Sequence, residues 1–254
     1  MVRLFMASMI EWYGSNESIP QSDITLFALP GVGDVGKTAI ENIKESMECE
    51  LIARVLNSGF PPHATLDSDG LITPPHIEIS LSRSNSKSIL LITGEHQPLN
   101  PPEQFELTQF ILSRLEKKTE ELLVLVGMAS EPSRKEVFLV PSSSEYRLDL
   151  EGMGVDVRRD EPKAGAIGMA ALMASMGPIY GIRSALSIAT TIGSSKDSFA
   201  TDRLLHKLSE WWSLDLLWDD STESSLIAKL HERSNGSRQD LVSDLTNTHD
   251  ASYM

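Results

Sequence analysis

Three apolar runs, residues 24–29 with only Thr25 polar and the continuous 89–92 and 122–126, set the strongest limit on what this chain can fold into. A strand with one face in water alternates apolar and polar residues, whereas a strand apolar at every position has both faces covered. Segments with helical spacing lie between these runs. Residues 37–47 place Ile40, Ile43 and Met47 on one side, and residues 102–118 place Leu107, Phe110, Ile111 and Leu115 in a single stripe. Covered strands alternating with amphipathic helices define an α/β protein with helices on both sides of a sheet. Further strands are expected over 4–10, 51–56, 77–81, 137–140 and 182–192, with a proline-punctuated stretch of brief strands between 60 and 75.

Toward the C-terminus a helix from about residue 198 carries Leu204, Leu205, Leu208, Trp211 and Trp212 on one side. A last helix is expected after Asp219 and Asp220, where Asp220 and Glu223 are spaced as a capping pair. From residue 234 the composition turns polar and the periodicity fades, so we expect one α/β domain over 1–233 and a flexible polar tail over 234–254. Residues 164–182 form an uncharged stretch of 19 residues, long enough to cross a bilayer. Its glycines and Pro178 instead indicate a buried helix, a turn and a core strand. Met169, Met173 and Met176 share one face of that helix, a stripe suited to the core or to subunit contact, as is the tryptophan pair.

The charge balance narrows the choice of partners. With 22 basic and 36 acidic residues the net charge is −14, which repels nucleic-acid phosphates and anionic lipid headgroups. Neither nucleic acid nor membrane is therefore an expected partner. The single cysteine, Cys49, cannot form an internal disulfide, and a reducing cytoplasmic setting fits.

Residues 31–38, from Gly31 to Thr38, match the phosphate-binding loop of nucleotide triphosphatases, and the context of strand then helix is right. Lys37 and Thr38 would be the phosphate and magnesium ligands. Two features oppose that reading. Asp34 would put a carboxylate inside a cradle built to attract anions, and no aspartate closes the apolar runs at 89–92 or 122–126 to hold magnesium. The dinucleotide-binding alternative lacks an acidic residue at the end of the second strand. We therefore read Gly31, Gly33 and Gly36 as a structural turn that needs glycine for backbone angles and close packing, with nucleotide binding as the competing reading.

Other constellations are weaker. Asp67, Asp69 and Glu78 take calcium-loop positions, but Leu71 and Ile72 stand where an oxygen ligand and glycine are required, so no metal site is expected. Glu95 and His96 follow a core strand, and with Asp34 they form the best enzymatic candidate, a hydrolase- or phosphorylase-like site at the carboxyl ends of the strands.

Taken in order, several motifs resemble a known family. They are the glycine turn at 31–36, Phe60-Pro61-Pro62, Asp69-Gly70 with Pro74-Pro75, Gly94-Glu95-His96-Gln97-Pro98, the glycine-rich stretch 164–170, and Asp197 opening a helix before Leu204-Leu205. Over about residues 20–230 this order resembles the proteasome assembly chaperone family of the second type, in its archaeal and bacterial branch. The resemblance implies a three-layer α/β/α sandwich with a mixed central sheet, like that of the phosphorylase/hydrolase group. It also implies a non-enzymatic role without cofactors, homo-oligomerisation, and binding to proteasome core subunits. The family has asparagine where this chain has Asp34, and Lys37 is not one of its features. Activators and some archaeal relatives end in hydrophobic-Tyr-any; this chain ends Ser252-Tyr253-Met254. Tyr253 and Met254 are thus candidate docking residues, with Ser252 in place of the hydrophobic residue.

Overall fold

The apolar runs become the parallel centre of an eight-stranded sheet in the computed structural model. The structure describes residues 8–66, 70–193 and 196–216; the expected helix after Asp219, the polar tail, and Tyr253 and Met254 lie outside them. In chain order the elements are β1 (Ser8–Trp12), β2 (Ser22–Ala28), α1 (Val35–Ser46), β3 (Cys49–Asn57), β4 (Thr65–Leu66), β5 (Ile72–Thr73), β6 (Ile77–Ser84) and β7 (Lys87–Gly94). There follow α2 (Pro101–Leu115), β8 (Thr119–Ala129), β9 (Val137–Pro141), α3 (Ser144–Gly152), α4 (Gly168–Met176), β10 (Arg183–Thr191) and α5 (Ser198–Trp212).

The strand order is β1-β3-β6-β7-β2-β8-β10-β9. Strands β7, β2, β8 and β10 run parallel, while β6, β3 and β1 on one flank and β9 on the other pair antiparallel. The sheet is therefore mixed. On one face Phe27, Leu90, Ile92, Val124, Leu186 and Ile188 meet Leu107, Ile111, Leu112 and Leu115 of α2 and Met169 and Met173 of α4. The opposite face carries α1, which lies on β2, β7 and β8, and α5, which lies on β9 and β10 and against α1. The result is the three-layer α/β/α sandwich expected from the sequence. Each fully buried leucine or isoleucine of α2 contributes about 1.5–3 kcal/mol.

Local chemistry sets the helix starts. Asn100 accepts from the Glu103 N–H at 3.1 Å ahead of two prolines, and Asp197 accepts from the Ala200 N–H at 3.0 Å. Both are side-chain caps that satisfy an otherwise unpaired amide. The uncharged stretch 164–182 resolves into α4, a 3-10 turn over Gly177–Tyr180 and the approach to β10. Among the described residues no helix is long and apolar enough to cross a membrane. The methionine stripe is core, with Met169 and Met173 fully enclosed, and Trp212 is buried too.

In the described residues the expected first strand is present over Ser8–Trp12, where the side chains alternate between buried and exposed as an edge strand requires. One element departs from the expectations. Helix α3 follows a serine run that carried no apolar stripe; Ser143 caps it by accepting from the Tyr146 N–H, and Tyr146 and Leu150 bury one turn apart. Strand β10 buries Ser184, Ser187, Thr190 and Thr191. Hydroxyl donation to backbone carbonyls makes this tolerable for two of them: Ser184 to Ala174 at 2.6 Å and Thr190 to Arg134 at 2.8 Å.

The start of α1 and the end of β8 interlock backbone to backbone. A Cβ on Gly36 would stand 2.0 Å from the Leu125 carbonyl oxygen, and one on Gly127 would stand 2.0 Å from that of Val32. No side chain tolerates such contacts, because the obstacle is main chain and cannot rotate away. Gly127→Ala is accordingly expected to destabilise the protein by about 3 kcal/mol. Gly152→Ala, where a Cβ meets nothing within 4 Å, should be neutral or slightly stabilising. Urea unfolding of the two variants beside the parent measures the contrast.

Candidate functional site

Strands β2 and β8 are neighbours, yet the chain leaves them in opposite directions. From β2 it passes through α1 to β3 on one flank, and from β8 it passes to β9 on the other edge. Adjacent parallel strands that diverge at their carboxyl ends leave a crevice between the connections, the usual place for a ligand in an open α/β sheet. A cleft of about 590 Å³ lies there, within the range of small-ligand sites.

Its walls come from four places. The turn after β2 supplies Gly31, Val32, Val35 and Gly36, and the end of β8 supplies Leu125 to Ala129. Pro162 and the segment 165–168 close one side, and Leu186 and Ile188 of β10 form part of the floor. Gln97 and Gln104 are the polar side chains among the described lining residues, which include no charged group. The Gln104 amide donates to the Pro98 carbonyl at 2.9 Å, and Gln97 accepts from the Met169 N–H at 3.4 Å. Each thereby has one end fixed. At the mouth Val32 is 44% and Ile167 89% exposed. Such a lining suits an uncharged, apolar group held by shape and one or two hydrogen bonds. It presents no nucleophile, general acid or general base.

The glycine turn is held from three directions. Residues 32–34 form a single 3-10 turn, with Gly33 at φ +67°, a left-handed conformation that glycine adopts without strain. A Cβ on Gly33 would also crowd the Thr191 hydroxyl at 2.8 Å. The Gly33 carbonyl accepts from the Asp197 N–H at 3.0 Å, and the Asp197 carboxylate accepts from Thr191 Oγ1 at 2.6 Å. One aspartate therefore ties the turn, the end of β10 and the start of α5 together.

The remaining candidates sit outside the cleft. Lys37 Nζ lies 2.8 Å from Glu95 and 3.0 Å from Glu41, so its ammonium engages carboxylates away from the turn. Burial pulls the Lys37 pKa down, but the two carboxylates outweigh it and hold the amine above the ordinary lysine range. Asp34 adopts a left-handed conformation at φ 50° and does not cap α1. It makes no side-chain hydrogen bond to Glu95 or His96 among the described residues. Among the described residues Thr38 Oγ1 is enclosed without a hydrogen-bond partner, as is Nε2 of His96, whose ring stands 5.8 Å from that of His63. The structure thus pairs Lys37 with Glu95 and gives the backbone of Gly31 and Gly36 to the cleft. Gln97, Gln104 and Gly127 were not singled out from the sequence as site residues, although Gln97 lies inside the 94–98 motif.

The fold and cleft define a class, the three-layer α/β proteins whose binding crevice opens at a switch in strand order. Within that class the chain belongs to the PAC2 family, whose family model matches residues 26–229. This is the relationship that the ordered motifs resemble. Among solved structures it is similar to Pyrococcus furiosus PbaB, an archaeal proteasome activator, at 20% identity and a TM-score of 0.73 over 92% of this chain and 99% of that one. It is also similar to Pyrococcus furiosus PbaA, an archaeal homolog of proteasome-assembly chaperone, at 21% identity and a TM-score of 0.66 over 91% and 99%. An uncharacterized protein of Methanocaldococcus jannaschii, MJ1210, is 22% identical over 214 residues, 84% of this chain and 83% of its own.

Because the Lys37 amine is held above its ordinary value, its ion pairs stabilise the fold fully below the lysine titration and lose that contribution as the pH rises through it. Lys37→Ala should cost about 0.5–1 kcal/mol at pH 7. The difference from the parent should fade beyond about pH 10.4. Urea unfolding at pH 7 and at alkaline pH reads both numbers.

Proposed function

We propose that this protein is a non-enzymatic, proteasome-assembly-chaperone-like protein that binds proteasome core subunits in the cytoplasm as a homo-oligomer. The observation that carries the reading is the PAC2 match across residues 26–229. It is supported by the similarity to PbaB and PbaA over 99% of each of those chains. The character of the cleft agrees with it: an uncharged apolar lining with Val32 and Ile167 exposed at its mouth suits recognition of a partner's apolar side chain better than bond-making. Lys37, engaged by two carboxylates, is poorly disposed to hold a phosphate.

In this reading the globular part extends to residue 233 and residues 234–254 form a tail that carries Tyr253 and Met254 to the partner. A peptide that orders only on docking loses affinity to the entropy of ordering. Ser252, where relatives use a hydrophobic residue, weakens it further.

The test is capture of a purified 20S proteasome core from the corresponding cytosol by the full chain, with native mass measurement of the complex. We expect weak, micromolar association. Deleting Tyr253 and Met254 should reduce it about tenfold or more, and Ser252→Leu should strengthen it by about the same factor. Association unchanged by the deletion would remove the tail from the mechanism. No association at all, together with micromolar binding of magnesium ATP or GTP that Lys37→Ala abolishes, would replace the proposal with nucleotide binding.

A further inference from the structure

A second pocket, of about 290 Å³, lies where β9 ends and α3 begins. Pro141 pairs with Ala185 near the start of β10, so this pocket opens at the amino ends of the parallel strands, the edge of the sheet opposite the cleft. Its polar lining consists of Ser142, Ser143, Ser144, Arg147, Arg158 and Arg159, with Val140 and Pro141 as the apolar wall. Among the described residues three arginines and no carboxylate line one small pocket in a chain of net charge −14.

The neighbouring carboxylates brace the arginines from outside that lining. Asp156 accepts from Arg158 Nε at 2.8 Å and from a terminal nitrogen at 2.9 Å, and Glu136 lies 3.7 Å from the same guanidinium. Glu151 accepts from Arg159 at 2.7 Å and stands 3.9 Å from Arg147 Nε. Arg134 takes up Glu136 and Glu161, and Glu145 lies in the first turn of α3. A guanidinium has five N–H donors; these contacts use two on Arg158 and one on Arg159. Arg147 Nε is enclosed without a hydrogen-bond partner among the described residues. Bracing of this kind fixes the direction of the planar forks while leaving donors to spare, which is what bidentate recognition of an oxyanion requires.

The serines add donors of the right kind. Ser143 Oγ accepts from the Tyr146 N–H at 3.2 Å, which leaves its own proton to donate. The first N–H groups of α3 have no acceptor within the helix. The arginines make this pocket a site; the helix start only completes it.

We infer that the pocket binds a phosphate group, either as inorganic phosphate or as the phosphate monoester of a small molecule. Three forks and a serine hydroxyl match the several oxygens of a phosphate dianion better than the two of a carboxylate. The volume holds more than a bare phosphate. This site is independent of the cleft and of any proteasome partner.

Calorimetric titration of the full chain with inorganic phosphate, phenyl phosphate and acetate tests the assignment. We expect phosphate to bind in the millimolar range, phenyl phosphate at least as tightly, and acetate much more weakly, with both phosphate affinities falling as sodium chloride rises. Arg147→Gln and Arg159→Gln should each weaken phosphate binding about tenfold. Arg147→Lys, which keeps the charge but loses the fork, should also weaken it, and Arg114→Gln, on α2, should not. Arg159 is largely exposed, so its variant tests the site without threatening the fold. Tighter binding of phenyl phosphate than of phosphate would assign the site to a monoester, and equal binding would assign it to the free ion. Three results would overturn the inference: no saturable binding of either phosphate probe, acetate or a polyglutamate peptide binding as tightly as phosphate, or affinity unaltered in both Arg147→Gln and Arg159→Gln.

Discussion

The contact on which the rest of this structure depends is made by main chain alone. Where α1 starts and β8 ends, Gly36 lies against the Leu125 carbonyl and Gly127 against that of Val32, each too close for any Cβ. The two approaches are reciprocal: helix glycine on strand, strand glycine on turn. Together they fix the height at which α1 sits on the sheet. That height decides where Val32 and Val35 stand relative to β8, and hence the width of the crevice between the diverging strands. The glycines of residues 31–36 therefore shape a cleft whose other walls lie far away in sequence.

Much of the architecture was legible because it rests on local or periodic signals. The apolar runs at 24–29, 89–92 and 122–126 have the character of covered strands, and Asp197 and the Gly177-Pro178 break mark boundaries by chemistry that acts within a few residues. Helix α3 was missed because its only buried side chains in the described structure, Tyr146 and Leu150, are too few to form a stripe, and its start is set by a serine cap inside a serine run. The described first strand runs on to Trp12, past the apolar signal, because exposed residues alternate along an edge strand.

The site was less legible, for a topological reason. Which side chains share a crevice follows from the order β7-β2-β8-β10, and nothing in the composition of a strand names its neighbour. Glu95 and His96 were sensible candidates, since they end a central strand. Which way they point, however, depends on the helix beside them, and Lys37 of α1 draws Glu95 onto its own ammonium. Gln97 enters the cleft because the chain turns once more before α2. Asp34 follows the glycines but is not among the residues that line the cleft. Tyr253 and Met254 lie beyond the described residues, and the docking proposed for them is argued from the sequence and the family resemblance.

Asp197 has a consequence for the cleft that its position on another helix conceals. Its amide and carboxylate bind the glycine turn, the last residue of β10 and the first turn of α5 into one bonded unit. A loop rich in glycine would ordinarily sample many shapes, and a guest would have to select one at an entropic cost. Here that cost is met during folding, so the rim formed by residues 31–34 is preorganised. The opposite wall, the glycine-rich segment 165–168 from which Ile167 projects, carries no such tie to Asp197 among the described residues.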